Sequence, residues 1–297
     1  VKDLMDFKLW QPSGIEEAMS WLAEMEHRAL PLAGGTDLLV KLRSGFSCPN
    51  LVDLQGLEEL QPYRTGGEET VIGSLCLVST VEWDAALRSS VPCLPHAAGQ
   101  LGSRQVRNLA TVGGNLCNAS PSAELAPPLL ALDAVAETTG PGGCRSLPLA
   151  QFFTGPGKTA LGRGELLKSV RFRRPQGRWA ARYYKLSPRK AMDIAVVNVC
   201  VRLTLDDKDP ELIRDAAISA GAAAPTPLRF PAEEEALRGR RFTPELAERA
   251  ARACGEAVRP IDDLRASAAY RKEMVRVLVR RGLAECYEQL YGREGAQ

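Results

Sequence analysis

Two glycine pairs, about eighty residues apart, constrain this 297-residue chain more than any other feature of it. The first lies in Leu30-Pro31-Leu32-Ala33-Gly34-Gly35-Thr36-Asp37, the second in Ala110-Thr111-Val112-Gly113-Gly114-Asn115-Leu116. Each follows a short apolar run and opens onto a helix-like one. Glycine lets backbone come close to a phosphate, and the amides at a helix start point at it. Two such turns predict a ligand with two phosphates held from both sides, a dinucleotide such as FAD. A lone Gly-Gly between strand and helix fits a plain tight turn equally well. The hydroxyls of Thr36 and Thr111 and the amide of Asn115 add donors that a turn alone does not need. The G-x-G-x-x-G fingerprint and the Walker A lysine are both missing, which argues against a Rossmann dehydrogenase, a kinase or an ATPase.

The length suits two domains or one large domain with appended parts, and 45% hydrophobic with 25% charged residues is ordinary for a soluble globular protein. A net charge of +2, from 38 basic and 36 acidic residues, gives no reason to expect nucleic acid or a membrane surface as partner. No uncharged stretch reaches the ~18 apolar residues of a spanning helix. Val1-Lys2-Asp3-Leu4-Met5-Asp6 lacks the apolar core of a signal peptide, so a cytoplasmic address is expected. The eight cysteines are scattered, with no C-x-x-C pair, and are expected to be reduced; the two histidines, His27 and His96, exclude a histidine-rich metal centre.

Periodicity divides the chain. Ser13 and Glu16 have capping-box spacing ahead of an apolar face at Ile15, Ala18, Met19, Leu22 and Met25. A strand over 29–33, the first glycine turn, a helix through Leu38, Leu39 and Leu42 and a strand over 50–54 complete a small opening unit. Further strands are expected at 70–73 and 165–172, with a second capping box at Ser79 and Glu82, a helix over 96–101 and a proline-broken helix over 123–132. Residues 174–179 read as a boundary. Strands over 194–205 and 213–220 follow, then helices over 232–238, 244–257 (capped by Thr243, with Pro244 first) and 267–290.

These segments resemble, in order and over nearly the whole chain, the FAD-binding medium subunits of the molybdenum hydroxylases, the family of xanthine dehydrogenase and carbon monoxide dehydrogenase. Besides the two glycine loops, the resemblance rests on Gln105-Val106-Arg107-Asn108 and Ala119-Ser120-Pro121-Ser122-Ala123-Glu124. In the C-terminal part it rests on Ala224-Pro225-Thr226-Pro227-Leu228-Arg229, Glu235-Ala236-Leu237-Arg238-Gly239, Asp262-Asp263-Leu264-Arg265-Ala266-Ser267 and Tyr270-Arg271. It implies an α+β fold: a two-subdomain FAD-binding domain of the vanillyl-alcohol-oxidase/PCMH type over 1–175, divided near 57, then a smaller α+β domain over 176–297.

The same resemblance implies non-covalent FAD contacted by Leu32, Ala33, Gly34, Gly35, Thr36, Asp37, Leu38, Ala98, Thr111, Gly113, Gly114, Asn115, Cys117, Ala123, Glu124, Leu167 and Lys185. Leu167 would pack on the isoalloxazine, and Lys185 would bring a cation to its pyrimidine edge. Glu124 would make a polar flavin contact. The plain alternatives are a solvated lysine and a helix-terminal carboxylate. Ala123 replaces a serine of some relatives. Ile194 replaces the aromatic usual in carbon monoxide dehydrogenases and is closer to the xanthine dehydrogenase pattern. Molybdopterin and 2Fe-2S clusters would reside on partner subunits, a large and a small one, with electrons leaving FAD for NAD+ or another acceptor. A free-standing flavoprotein oxidase or reductase, and a flavin-free assembly protein, are the competing readings. The basic residues Arg271, Lys272, Arg276, Arg280 and Arg281 suggest either a solvated face or a partner contact.

Overall fold

Hydrophobic periodicity first produces a parallel three-stranded sheet in which the order of strands is β1 (Lys8–Trp10), β3 (Asn50–Asp53), β2 (Ala29–Leu32). The structure is a computed structural model and describes residues 7–292. Residues 1–6, which carry the signal-peptide argument, lie outside that part. Helix α1 (Ile15–Met25) buries Ile15, Ala18, Met19 and Leu22 in a cluster with Ala29, Val52 and Leu54, and α2 (Leu38–Arg43) follows the first glycine loop. The expected Ser13–Glu16 box is displaced by one residue. The helix starts after Gly14, so Glu17 holds the third helical position and accepts from the Ser13 amide (2.7 Å) and hydroxyl (2.8 Å).

An antiparallel sheet forms the second unit: β4 (Tyr63–Arg64), β5 (Glu69–Gly73), β10 (Leu166–Arg173), β6 (Val135–Gly140) and β7 (Gly143–Pro148), in that spatial order. Two short strands, β8 (Phe153–Gly155) and β9 (Lys158–Thr159), pair beside it. Between β5 and β6 run six short helices: α3 (Val78–Trp83), α4 (Ala85–Ser90), α5 (Cys93–Gly99), α6 (Arg104–Arg107), α7 (Val112–Cys117) and α8 (Ala126–Ala131). Ser79 is inside α3 and does not cap it. Glu82 instead makes a paired bond to Arg107, 2.6 Å at the shorter contact, while Asp84 caps α4 by accepting from Leu87 N at 2.7 Å. The expected broken helix is a short regular one, because Pro127 and Pro128 sit in its first turn, where no amide partner is lost.

The third sheet, β11 (Arg178–Leu186), β12 (Val197–Leu205), β13 (Ile213–Gly221) and β14 (Leu228–Arg229), is antiparallel throughout. Arg178 and Trp179, assigned to a linker from sequence, already belong to β11. Helices α9 (Pro231–Leu237), α10 (Pro244–Ala257) and α11 (Ala268–Tyr291) cover one face, and α5 and α8 press on the other. All nine residues of β12 are consequently buried. Thr243 and Ser267 cap α10 and α11 through Leu246 N (3.1 Å) and Tyr270 N (3.2 Å). Arg271 does not belong to a basic face: it is 3% exposed and held by Asp263 and the carbonyls of Val196 and Ala222. Arg276 is matched by Glu248 and Glu273.

The architecture is thus α+β and in two parts, the first having two main sheets with the small β8–β9 pair and the second having one. The largest apolar cluster ignores that division. It runs from Ile72, Leu94 and Leu129 to Tyr183, Cys200 and Ala217 of the third sheet. All eight cysteines are free thiols, and no helix among the described residues is long and apolar enough to cross a membrane.

Candidate cofactor-binding cleft

The first glycine loop leaves β2 and enters α2 through Gly35, whose φ of +70° is in the left-handed region. Among the described residues the amides of Gly34, Gly35, Thr36, Asp37 and Leu38 have no acceptor. Successive unpaired amides around a left-handed residue form a concave anion site. Gly34 serves a different purpose. A Cβ there would lie 1.8 Å from the carbonyl oxygen of Leu109 and 3.2 Å from Cα of Ala110. This glycine lets the two loops touch, backbone on backbone.

The second loop is built otherwise, and corrects the expectation of two equivalent cradles. Its helix start is already capped. Val112 N donates to Cys76 O (2.9 Å), Gly113 N to Ser74 O (2.8 Å), Gly114 N to Thr111 Oγ1 (2.9 Å) and Asn115 N to Thr111 O (3.0 Å). Gly113 is required for packing on Ser74, whose Cβ would be 2.4 Å from an added methyl. What this loop can offer a ligand is the Thr111 hydroxyl proton and the side chain of Asn115, whose buried Oδ1 has no partner.

The loops border a cleft of about 700 Å³. Of the residues expected at the cofactor, 33–38, Thr111, Gly113, Gly114, Asn115, Cys117, Ala123, Glu124 and Leu167 lie on its wall. Three do not. Leu32 packs with Leu42 and Leu51 in a small core under the first loop, Ala98 is fully buried in α5, and Lys185 sits behind Glu124. The Lys185 side chain is 4% exposed, and its ammonium donates to Glu124 Oε1 (2.8 Å) and Gln100 O (2.9 Å), so it is not a solvated lysine. Burial pushes the Cys117 thiol up to about 12, which leaves it protonated and inert at neutral pH.

Sequence reasoning missed several wall residues. Ser74 and Leu75 follow β5, and Glu165 precedes β10. Hydrogen bonding from Arg145 holds the Glu165 carboxyl down at about 2 against its burial, with further bonds from Gly162 N and Thr138. Met192, Asp193 and Ile194 reach the cleft from the β11–β12 connection, while Lys41 spans from α2 to Asn118 (2.7 Å). Ile194 was singled out only through the resemblance, and no local pattern marks the others, because each arrives by a contact distant in sequence.

The donor set fits a dinucleotide pyrophosphate. Unpaired amides and two threonine hydroxyls suit its anionic oxygens, the orphaned Asn115 oxygen suits a ligand hydroxyl or N–H, and Leu75, Leu167 and Ile194 give apolar wall for a planar ring. Comparison with known proteins agrees. Residues 5–175 match the FAD binding domain in molybdopterin dehydrogenase, and residues 182–286 match the CO dehydrogenase flavoprotein C-terminal domain. The nicotinate dehydrogenase FAD-subunit of Eubacterium barkeri is 31% identical over 97% of this chain and 99% of its own length. The xanthine dehydrogenase FAD-binding subunit of Escherichia coli O157:H7 is 30% identical, covering 94% and 95%. A solved carbon monoxide dehydrogenase from Hydrogenophaga pseudoflava superimposes with a TM-score of 0.91 at 28% identity, over 96% of this chain and 99% of that one. The chain belongs to the FAD-binding subunits of the molybdopterin dehydrogenase family, in which it is the electron-transfer component of an oxidoreductase.

Proposed function

We propose that this chain binds FAD non-covalently in the cleft and relays electrons within a multi-subunit, xanthine dehydrogenase-like molybdenum hydroxylase. Electrons would come from molybdenum and 2Fe-2S centres on large and small partner subunits and leave for NAD+ or another acceptor. The observation that carries the reading is the run of unpaired amides at 34–38, held against the second loop by Gly34. Bound FAD would supply the exchange of electrons one or two at a time.

The chain's own contribution is binding, orientation and electrostatics. Amides 34–38 would fix the pyrophosphate, and Thr36 and Thr111 would donate to its oxygens. Asn115 would orient the adjoining sugar alcohol. Leu167, Ile194 and Leu75 would keep water from the ring face. No general acid, base or nucleophile is needed for a relay, and the substrate chemistry belongs to the partners.

The absorption spectrum of the purified chain tests the first step. Flavin bands are expected, and a colourless protein that takes up no added FAD would overturn the reading. Co-purification with a molybdenum-containing large subunit and an iron–sulfur small subunit is expected next. A chain that turns over alone with an organic substrate and an acceptor would favour a free-standing flavoprotein instead.

A further inference from the structure

The third sheet does more than pack against the cleft. Lys185 on β11 and Asn198 on β12 are directly opposed in the strand register, and Gly221 on β13 is directly opposed to Asn198. Opposed residues of antiparallel strands share one face, so these three form a row across the sheet. The row lies under residues 121–124. Lys185 binds Glu124, while Asn198 Nδ2 donates to Ala123 O (3.3 Å) and to Tyr183 OH (3.2 Å). Gly221 leaves room for the Asn198 amide, whose oxygen would be 2.2 Å from an added Cβ, and Ala222 N donates to Pro121 O at 2.6 Å. Ala123 and Glu124 are on the cleft wall, whereas no member of the row is.

From this juxtaposition we infer that Lys185 is a positioning residue acting on the bound cofactor through Glu124, with which it forms a charge-compensated pair. The inference rests on the FAD reading and changes one part of it. A cation touching the flavin would favour electron uptake by itself. A buried ammonium 2.8 Å from a carboxylate presents the cleft with a nearly neutral dipole whose negative end is nearer. Burying such a pair is tolerated because each charge satisfies the other, and removing one partner leaves the other uncompensated.

The test is a double-mutant cycle of Lys185→Met, Glu124→Gln and both together, read by the flavin midpoint potential and by FAD affinity. FAD uptake by the unmutated chain is measured first, so that failure of the cofactor reading is recognised separately. Lys185→Met should lower the potential and weaken FAD binding about tenfold, in line with coupling energies of contacting charged residues. Glu124→Gln should shift the potential upward. The double variant, which keeps a neutral pair of similar volume, should return close to the unmutated values. A double variant whose potential stays as low as that of Lys185→Met would overturn the inference, since Lys185 would then act without Glu124. The thermal midpoints of the same four proteins report the pairing independently of flavin, and additive losses there would overturn it too.

Discussion

Gly34→Ala is the sharpest perturbation this structure offers. The new methyl carbon would start 1.8 Å from Leu109 O and 2.6 Å from Leu109 C. Nonbonded carbon contacts settle at roughly 3.5 Å, so the loops must separate by well over 1 Å. The second loop cannot yield easily. Ala110 is held on both sides, its amide on Val106 O (2.7 Å) and its carbonyl by Val78 N (2.9 Å). Overpacking against a fixed neighbour costs about 1–3 kcal/mol, and here the neighbour is backbone, which puts the cost at the upper end. If the separation is taken up by the first loop, amides 34–38 move off the pyrophosphate. A loss of about 1.4–2.8 kcal/mol in binding corresponds to a 10- to 100-fold weaker FAD affinity. Titration of FAD by fluorescence below the unfolding range of both proteins reads this directly. Gly142→Ala is the control, since a Cβ there meets nothing within 4 Å. Gly34→Ala protein that binds FAD within twofold of the unmutated chain would refute the proposed apposition of the loops.

Three further outcomes are expected. Gly114→Val should lose FAD, because its Cβ would be 2.9 Å from Thr111 Oγ1 and would dislodge the cap that shapes the second loop; retained flavin absorbance after gel filtration would contradict this. Thr111→Val should cost about 1 kcal/mol of stability through loss of that cap, with Thr111→Ser restoring most of it in denaturant melts. Glu165 has a carboxyl lowered from 4.5 to about 2, so its pairing stabilises the fold fully above pH 4.5 and is lost as pH falls toward 2. The gap in unfolding midpoint between the unmutated chain and Glu165→Gln should therefore close over that interval, and a gap that persists at pH 2 would sink the assignment.

Features written in short-range chemistry were legible in the sequence. Thr243 with Pro244 placed α10 to the residue, and the strand–glycine–helix order located the first loop; the second instead follows α6, and its Gly113 and Gly114 lie inside α7. Errors arose where a partner distant in sequence decided the outcome. Ser79 and Glu82 have the spacing of a capping box, yet Arg107, 25 positions on, takes the carboxylate. The carbonyls of Ser74 and Cys76 remove the amides that Gly113 and Val112 were expected to offer. Lys185 gives no local sign of burial, because the residues that hold it are Gln100, just after α5, and Glu124. The alternation in β12 could be read as a strand, but not the helices on both its faces that bury Asn198, Arg202 and Thr204 along with its apolar residues.

The apolar cluster that joins Leu94 and Leu129 to Tyr183, Cys200 and Ala217 has a consequence for protein engineering. Cutting the chain between the second and third sheets would strip one wall from that cluster and leave Ala123, Pro121 and Pro127 without the donors that now reach their carbonyls. The N-terminal half is therefore not a portable flavin module. A chimera between two relatives should be joined elsewhere, or should carry residues 120–133 and the third sheet from the same parent. Cleft wall and C-terminal sheet are built as one object.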